Sequence, residues 1–176
     1  MTALDLTMEK VGRENRAALI AYIPAGFPTL EGCKKIIDAF VRGGVDVIEI
    51  GFPYSDPVMD GPTIQEASVI ALKNGTGAAE VLEAVSYAAT KVPTVVMSYW
   101  NPIEKYGTES FAHALSAAGG SGAITPDLTI EEAAAWKSAT DKNSLNRIYV
   151  VAPSSTDERL KKVSDECSGF ILSLIH

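Results

Sequence analysis

Val45-Asp46-Val47-Ile48-Glu49-Ile50-Gly51-Phe52-Pro53-Tyr54-Ser55-Asp56-Pro57-Val58-Met59-Asp60-Gly61-Pro62 is the stretch on which the reading of the fold turns. It begins as a short Ile/Val-rich run, the pattern of a strand buried on both faces, and then breaks into a turn rich in Gly, Pro and Asp. Within the run, period-two alternation puts Val45, Val47 and Glu49 on one face and Ile48 and Ile50 on the other. A carboxylate therefore lies near the C-terminal end of an apolar strand. Asp56-Pro57 is a turn signal, and Asp60-Gly61-Pro62 reads as the entry to a helix.

The same succession of apolar run, turn and Ala-rich amphipathic stretch recurs on both sides. Residues 19–23, 45–50, 94–99, 122–125, 148–152 and 169–172 read as strands. Residues 30–42, 63–73, 80–90, 109–118, 130–140 and 157–167 read as helices, with Thr29 and Thr156 as N-caps and Asn74-Gly75 as a C-terminal stop. Regular strand–helix alternation implies right-handed crossovers and a parallel sheet. Two architectures fit, an open doubly wound sheet or a (β/α)8 barrel. The first calls for a glycine-rich phosphate turn after its first strand, and Pro24-Ala25-Gly26-Phe27-Pro28 is not GxGxxG. Gly75-Thr76-Gly77 follows a helix, so it reads as a C-cap loop. A closed barrel takes about 250 residues. The 176 residues here hold about six βα units in a single domain, residues 1–176. Composition alone leaves an incomplete barrel and an open sheet both standing.

Charge and composition exclude several classes. A net charge of -7 without a basic cluster argues against nucleic acid and anionic membrane surfaces. Cys33 and Cys167 form no CxxC pattern, which fits a reducing cytoplasm. Residues 1–16 are too charged for a signal peptide, and the apolar runs are strand-length, so a soluble protein is expected. His113 and His176 are the only histidines, which disfavours a His-dependent triad or a multi-His metal site. No strand carries an interior Lys, and no P-loop, GxSxG or HExxH occurs. What remains is carboxylate acid–base chemistry without a protein-bound metal.

Glu49 is the first candidate. If its face looks into a barrel, the side chain sits at the strand end where barrel active sites are built, and desolvation would raise its pKa. The alternative is a Glu that reaches solvent or pairs with an Arg. Asp60 reads either as a helix cap or as a second carboxylate over the same mouth. Tyr22 and Tyr99 end apolar runs and fit either core packing or the walls of an aromatic pocket.

Glu49-Ile50-Gly51-Phe52-Pro53-Tyr54-Ser55-Asp56-Pro57 followed by Asp60-Gly61-Pro62-Thr63-Ile64-Gln65 closely resembles the signature of tryptophan synthase alpha chains. Supporting matches are Tyr22 to Pro28, Met97-Ser98-Tyr99-Trp100-Asn101-Pro102 and Gly122-Ala123-Ile124-Thr125-Pro126-Asp127, and the similarity runs from about residue 4 to about residue 171. The resemblance implies a TIM barrel and retro-aldol cleavage of indole-3-glycerol phosphate to indole and glyceraldehyde 3-phosphate. It implies Glu49 as the general acid–base and Asp60 as the carboxylate that stabilises charge at the indole N–H. It implies an indole pocket of Tyr22, Met97, Tyr99, Pro126 and Val151. Pro53 and Asp56 match positions at the contact with a beta chain in an alpha2beta2 assembly. Pyridoxal phosphate is expected in that beta chain, and no cofactor in this one.

The resemblance fades over Gly169-Phe170-Ile171-Leu172-Ser173-Leu174-Ile175-His176, where the position of Leu172 carries Tyr in many members. The family continues for two further βα units, whose loops hold the substrate phosphate. An incomplete barrel with raw sheet edges, weak activity and marginal solubility is the resulting expectation. A chain that only docks on a beta chain is the alternative outcome, and another phosphate-binding barrel enzyme a weaker one.

Overall fold

The structure, a computed structural model, describes residues 1–173. The end of the divergent tail, residues 174–176 with His176, lies outside the described residues. β1 (Ile20–Pro24), β2 (Val47–Gly51), β3 (Thr94–Met97), β4 (Gly122–Ile124) and β5 (Asn146–Ile148) form a parallel sheet in that order. In line with β5, β6 (Val150–Val151) pairs in parallel with β7 (Leu172–Ser173). The helices are α1 (Ala3–Arg13), α2 (Leu30–Arg42), α3 (Pro62–Lys73), α4 (Ala78–Ala89), α5 (Trp100–Tyr106), α6 (Thr108–Ala117), α7 (Ala134–Lys142) and α8 (Asp157–Glu166). None of the described helices is long and apolar enough to cross a membrane.

Strand order settles the choice the composition left open. A doubly wound sheet reverses its order at a switch point, whereas here each strand lies beside its predecessor. Both faces of the sheet are covered. Val47, Val95, Ile124 and Ile148 pack together on one side with Leu4 of α1, the inner layer of a barrel wall. Ile23, Ile48, Ile50, Val96 and Ala123 pack on the other side with the helices. The alternation in residues 47–50 is thus what sends Val47 inward and Ile48 and Ile50 outward. The architecture is an incomplete (β/α) barrel of six units, the fifth split at Tyr149.

That split has a local cause. The ladder with β4 ends at Ile148, after which the Tyr149 N–H donates to Cys167 Sγ at 3.4 Å and its carbonyl accepts from Leu172 N at 3.1 Å. The strand also starts earlier than the expected 148–152, because Asn146 and Arg147, though polar, are buried with hydrogen-bond partners, Arg147 Nε being left without one. Arg147 donates to Thr140 Oγ1 at 2.9 Å and pairs with Asp141, while Asn146 bonds to α1. Polar residues with partners extend a strand that hydropathy alone cuts short.

Two helices escape an apolar-run reading. α1 is broken up by the charged Asp5, Glu9, Lys10 and Arg13, but Thr2 and Asp5 form a reciprocal capping box, Glu9 and Arg13 pair at 2.8 Å, and Leu4 and Val11 are buried. It closes the N-terminal end of the barrel, where Asn146 Nδ2 donates to Asp5 Oδ1 at 2.8 Å and Thr2 Oγ1 donates to Asn146 Oδ1. α5 contains Pro102 in its first turn, where the missing N–H costs nothing. Its Trp100 N–H is capped by Asp127 Oδ1 from the loop after β4, at 2.8 Å. α7 begins four residues later than the expected 130, because residues 129–132 close a turn through Glu132 N–H and Thr129 O.

Asn146→Ala is expected to remove about 1–3 kcal/mol by leaving its α1 partners unpaired. The urea midpoint should fall with the m-value unchanged. An unaltered midpoint would show that α1 is seated by Leu4 alone.

Candidate active site

Glu49 is the third residue of β2, flanked in register by Tyr22 on β1 and Val95 on β3. All three face the barrel interior. Two residues further on, Gly51 lets the Tyr22 ring lie directly over the strand: a Cβ at Gly51 would stand 2.2 Å from the Tyr22 hydroxyl. No larger residue fits without moving that ring. Above them is a cavity of about 210 Å³ lined by Tyr22, Glu49, Met59, Asp60, Gly61, Ile64, Met97, Pro126, Val150 and Leu172. Burial in this setting, helped by the nearby Asp60 charge, pushes Glu49 up to about 7.

Asp60 comes from the loop between β2 and α3. The N-cap of α3 is Gly61 with Pro62 at the first helical position, and no side chain caps the helix. The cap reading of Asp60 therefore gives way, and its carboxylate is free for the cavity. Its backbone is pinned from both sides. The Gln65 side chain donates to Asp60 O at 2.8 Å, and the preceding Met59 N–H donates to the Tyr99 hydroxyl at 2.9 Å. Burial raises the Asp60 pKa, and a hydrogen bond from the Tyr99 hydroxyl opposes the rise.

The remainder of the loop is anchored at its base and exposed at its tip. Phe52 N–H donates to Met97 O at 2.8 Å, and the Tyr54 and Tyr99 rings pack at a 34° tilt with centroids 5.3 Å apart. Val58 at the tip is 79% exposed. Asp56 is exposed, while Pro53 is buried, so Pro53 shapes the loop without offering a surface of its own.

Tyr22, Glu49, Asp60, Met97 and Pro126 meet around one cavity. Tyr99 does not end a strand. It precedes α5 and supports the Asp60 loop through its hydroxyl rather than lining the cavity. Val151 is a correction: it packs in the helix-side layer, and Val150 takes the cavity position. Ile148 faces inward, so alternation carries Val150 inward and Val151 outward. Met59 and Ile64 were missed because irregular loops and helix entries carry no periodic signal. Leu172, the divergent position, pairs with Val150 and lies on the cavity wall.

A larger cavity of about 440 Å³ lies on the helix side of β1, among Ile23, Phe27, Ile36, Phe40 and Ile70. It has Glu66 as its only titratable lining residue apart from Tyr22. Convergence of two carboxyl groups, not volume, makes the smaller cavity the candidate site. One carboxyl titrating near neutrality beside another that ionises more readily, with apolar and aromatic walls, suits proton transfer to a flat apolar ligand that develops positive charge.

The chain is similar to known proteins of one family. A family model described as tryptophan synthase alpha chain matches residues 8–175. The tryptophan synthase alpha chain of Salinispora arenicola is 51% identical over 172 residues, covering 97% of this chain and 64% of the relative. That of Thermobifida fusca is 53% identical with the same coverage. The chain thus spans less than two thirds of the length of these curated relatives. Among solved structures, tryptophan synthase from M. tuberculosis in an aminoacrylate-bound form superposes with a TM-score of 0.95 at 44% identity, covering 98% of this chain and 71% of that one. The alpha subunit from Legionella pneumophila superposes at 0.94 with 34% identity, covering 99% and 68%.

Proposed function

The chain belongs to the tryptophan synthase alpha chain family, and from that premise we propose that its site performs the retro-aldol cleavage of indole-3-glycerol phosphate to indole and glyceraldehyde 3-phosphate. The observation that supports this most directly is the pairing of Glu49, raised to about 7, with Asp60 across one apolar cavity.

In this reading Glu49, in its protonated form, gives a proton to C3 of the indole ring. The ring becomes a cation with its charge on nitrogen. Ionised Asp60 accepts the ring N–H and stabilises that charge, an interaction stronger in the transition state than in the ground state. The side-chain hydroxyl next to the ring then loses its proton to the Glu49 carboxylate. Its oxygen forms the aldehyde C=O, and the electrons of the breaking C–C bond return to the ring and neutralise the nitrogen. Glu49 ends protonated, as it began. Met97, Pro126, Val150 and the Tyr22 ring form the apolar enclosure that strengthens these charge interactions.

The exposed loop tip, with Val58 and Asp56, is the surface assigned to a beta chain. The reading assigns pyridoxal phosphate to that partner, no cofactor to this chain, and a cytoplasmic location to both. The test is to incubate the chain with indole-3-glycerol phosphate, with and without a beta chain, and to measure indole and glyceraldehyde 3-phosphate together. Equal yields of both products are expected, with more turnover when the beta chain is present. Absence of both products, with the beta chain's activity nonetheless changed, would leave only a docking role.

A further inference from the structure

We propose that the Tyr22 hydroxyl is a specificity-determining contact that donates a hydrogen bond to an oxygen on the ligand's side chain, rather than serving only as part of the wall against its ring. The inference rests on the functional reading above and extends it to a group the reaction scheme does not use.

Placement is the first argument. Tyr22 stands beside Glu49 in the parallel register, and its ring runs up the inner face of β2 until the hydroxyl reaches Gly51. Its polar end therefore sits one inward-facing position nearer the mouth than Glu49, within the same cavity. Fit is the second. The Tyr22 oxygen and its ring carbon Cζ would lie 2.2 and 2.6 Å from any Cβ at residue 51, so ring and glycine form a matched pair that fixes where the hydroxyl points.

The third argument is a contrast between the two tyrosines near the site. The Tyr99 hydroxyl accepts from Met59 N–H at 2.9 Å and is committed to holding the loop. The Tyr22 hydroxyl has no hydrogen-bond partner among the described residues, although burial and the negative charges of Asp60 and Glu49 keep it protonated. Tyr22 is half-buried on the cavity wall, so this donor is open to an oxygen that enters the cavity. Its natural partner is an acceptor oxygen close to Glu49, and the side-chain hydroxyls of a 3-substituted indole bring oxygen to that place. The indole ring itself carries no acceptor oxygen.

Tyr22→Phe removes that oxygen while retaining the ring over Gly51. Binding of indole-3-glycerol and of indole-3-propanol, which lacks the two extra hydroxyls, is measured by calorimetry on the parent chain and the variant. The variant is expected to bind indole-3-glycerol about 5- to 10-fold more weakly and indole-3-propanol within about twofold of the parent. Retained propanol binding also shows that the variant's cavity is intact. Equal loss on both ligands, or no loss on either, overturns the assignment while leaving the lyase reading in place. Failure of the parent chain to bind either ligand overturns the lyase reading and this assignment with it.

Discussion

Glu49→Gln is expected to lower kcat for indole release by about 10²- to 10⁴-fold, the usual contribution of a positioned acid–base group. Glutamine keeps the size and one hydrogen-bonding oxygen but carries no transferable proton. The same substitution should make the protein more stable at alkaline pH. Glu49 titrates near 4.5 when unfolded and at about 7 in the native cavity. Between those values the unfolded chain has released a proton that the native state retains. The native state then binds more protons, so stability falls as pH rises through this window. Above about pH 7 the full cost is present, on the order of 3 kcal/mol. Urea midpoints measured from pH 5 to pH 8 should therefore decline for the parent chain and stay nearly level for Glu49→Gln. Parallel declines in the two proteins would mean that Glu49 is well solvated, and the acid–base assignment would lose its basis. A residue that costs stability where it stands, and whose removal costs turnover, is held there by chemistry rather than by folding.

Glu49 also shows how far the sequence can be read. The alternation Val47, Ile48, Glu49, Ile50 sets the carboxylate on the face opposite Ile48 and Ile50, and strand order and packing make that face the inner one. What hydropathy could not deliver was the start of the fifth strand. Hydropathy starts that strand at Ile148, whereas Asn146 and Arg147 begin it, held by Asp5 of α1 and by Thr140 and Asp141 at the end of α7. The resemblance put Val151 in the pocket, whereas alternation from the inward Ile148 gives that place to Val150. The loop after β2 posed a different difficulty. Asp60 reads locally as either a helix cap or a carboxylate over the mouth, and Gly61 takes the cap position in a loop that Tyr99 and Gln65 grip from outside. Tertiary partners, invisible in a local window, decided both cases.

Asp60→Asn is expected to reduce kcat by about 10²- to 10³-fold, since an amide can accept the ring N–H but brings no negative charge to the developing cation. Its effect on the pH profile is more telling than its size. Catalysis needs Glu49 protonated and Asp60 ionised, so activity should fall above about pH 7 as Glu49 loses its proton. On the acid side it should fall as Asp60, raised by burial, gains one. Removing the Asp60 carboxylate abolishes the acid limb, because no group whose ionisation is required remains there. It also removes part of what raises Glu49, since the charge on Asp60 is its second cause after burial. The alkaline limb should then shift toward lower pH, by less than the whole displacement, because burial, the larger cause, persists. A profile of kcat against pH for the parent and Asp60→Asn reads both effects together. A variant that keeps the acid limb unchanged would show that some other group sets it. A variant whose alkaline limb stays in place would mean that the two carboxyl groups do not sense one another across the cavity, and the paired-carboxylate mechanism would fail.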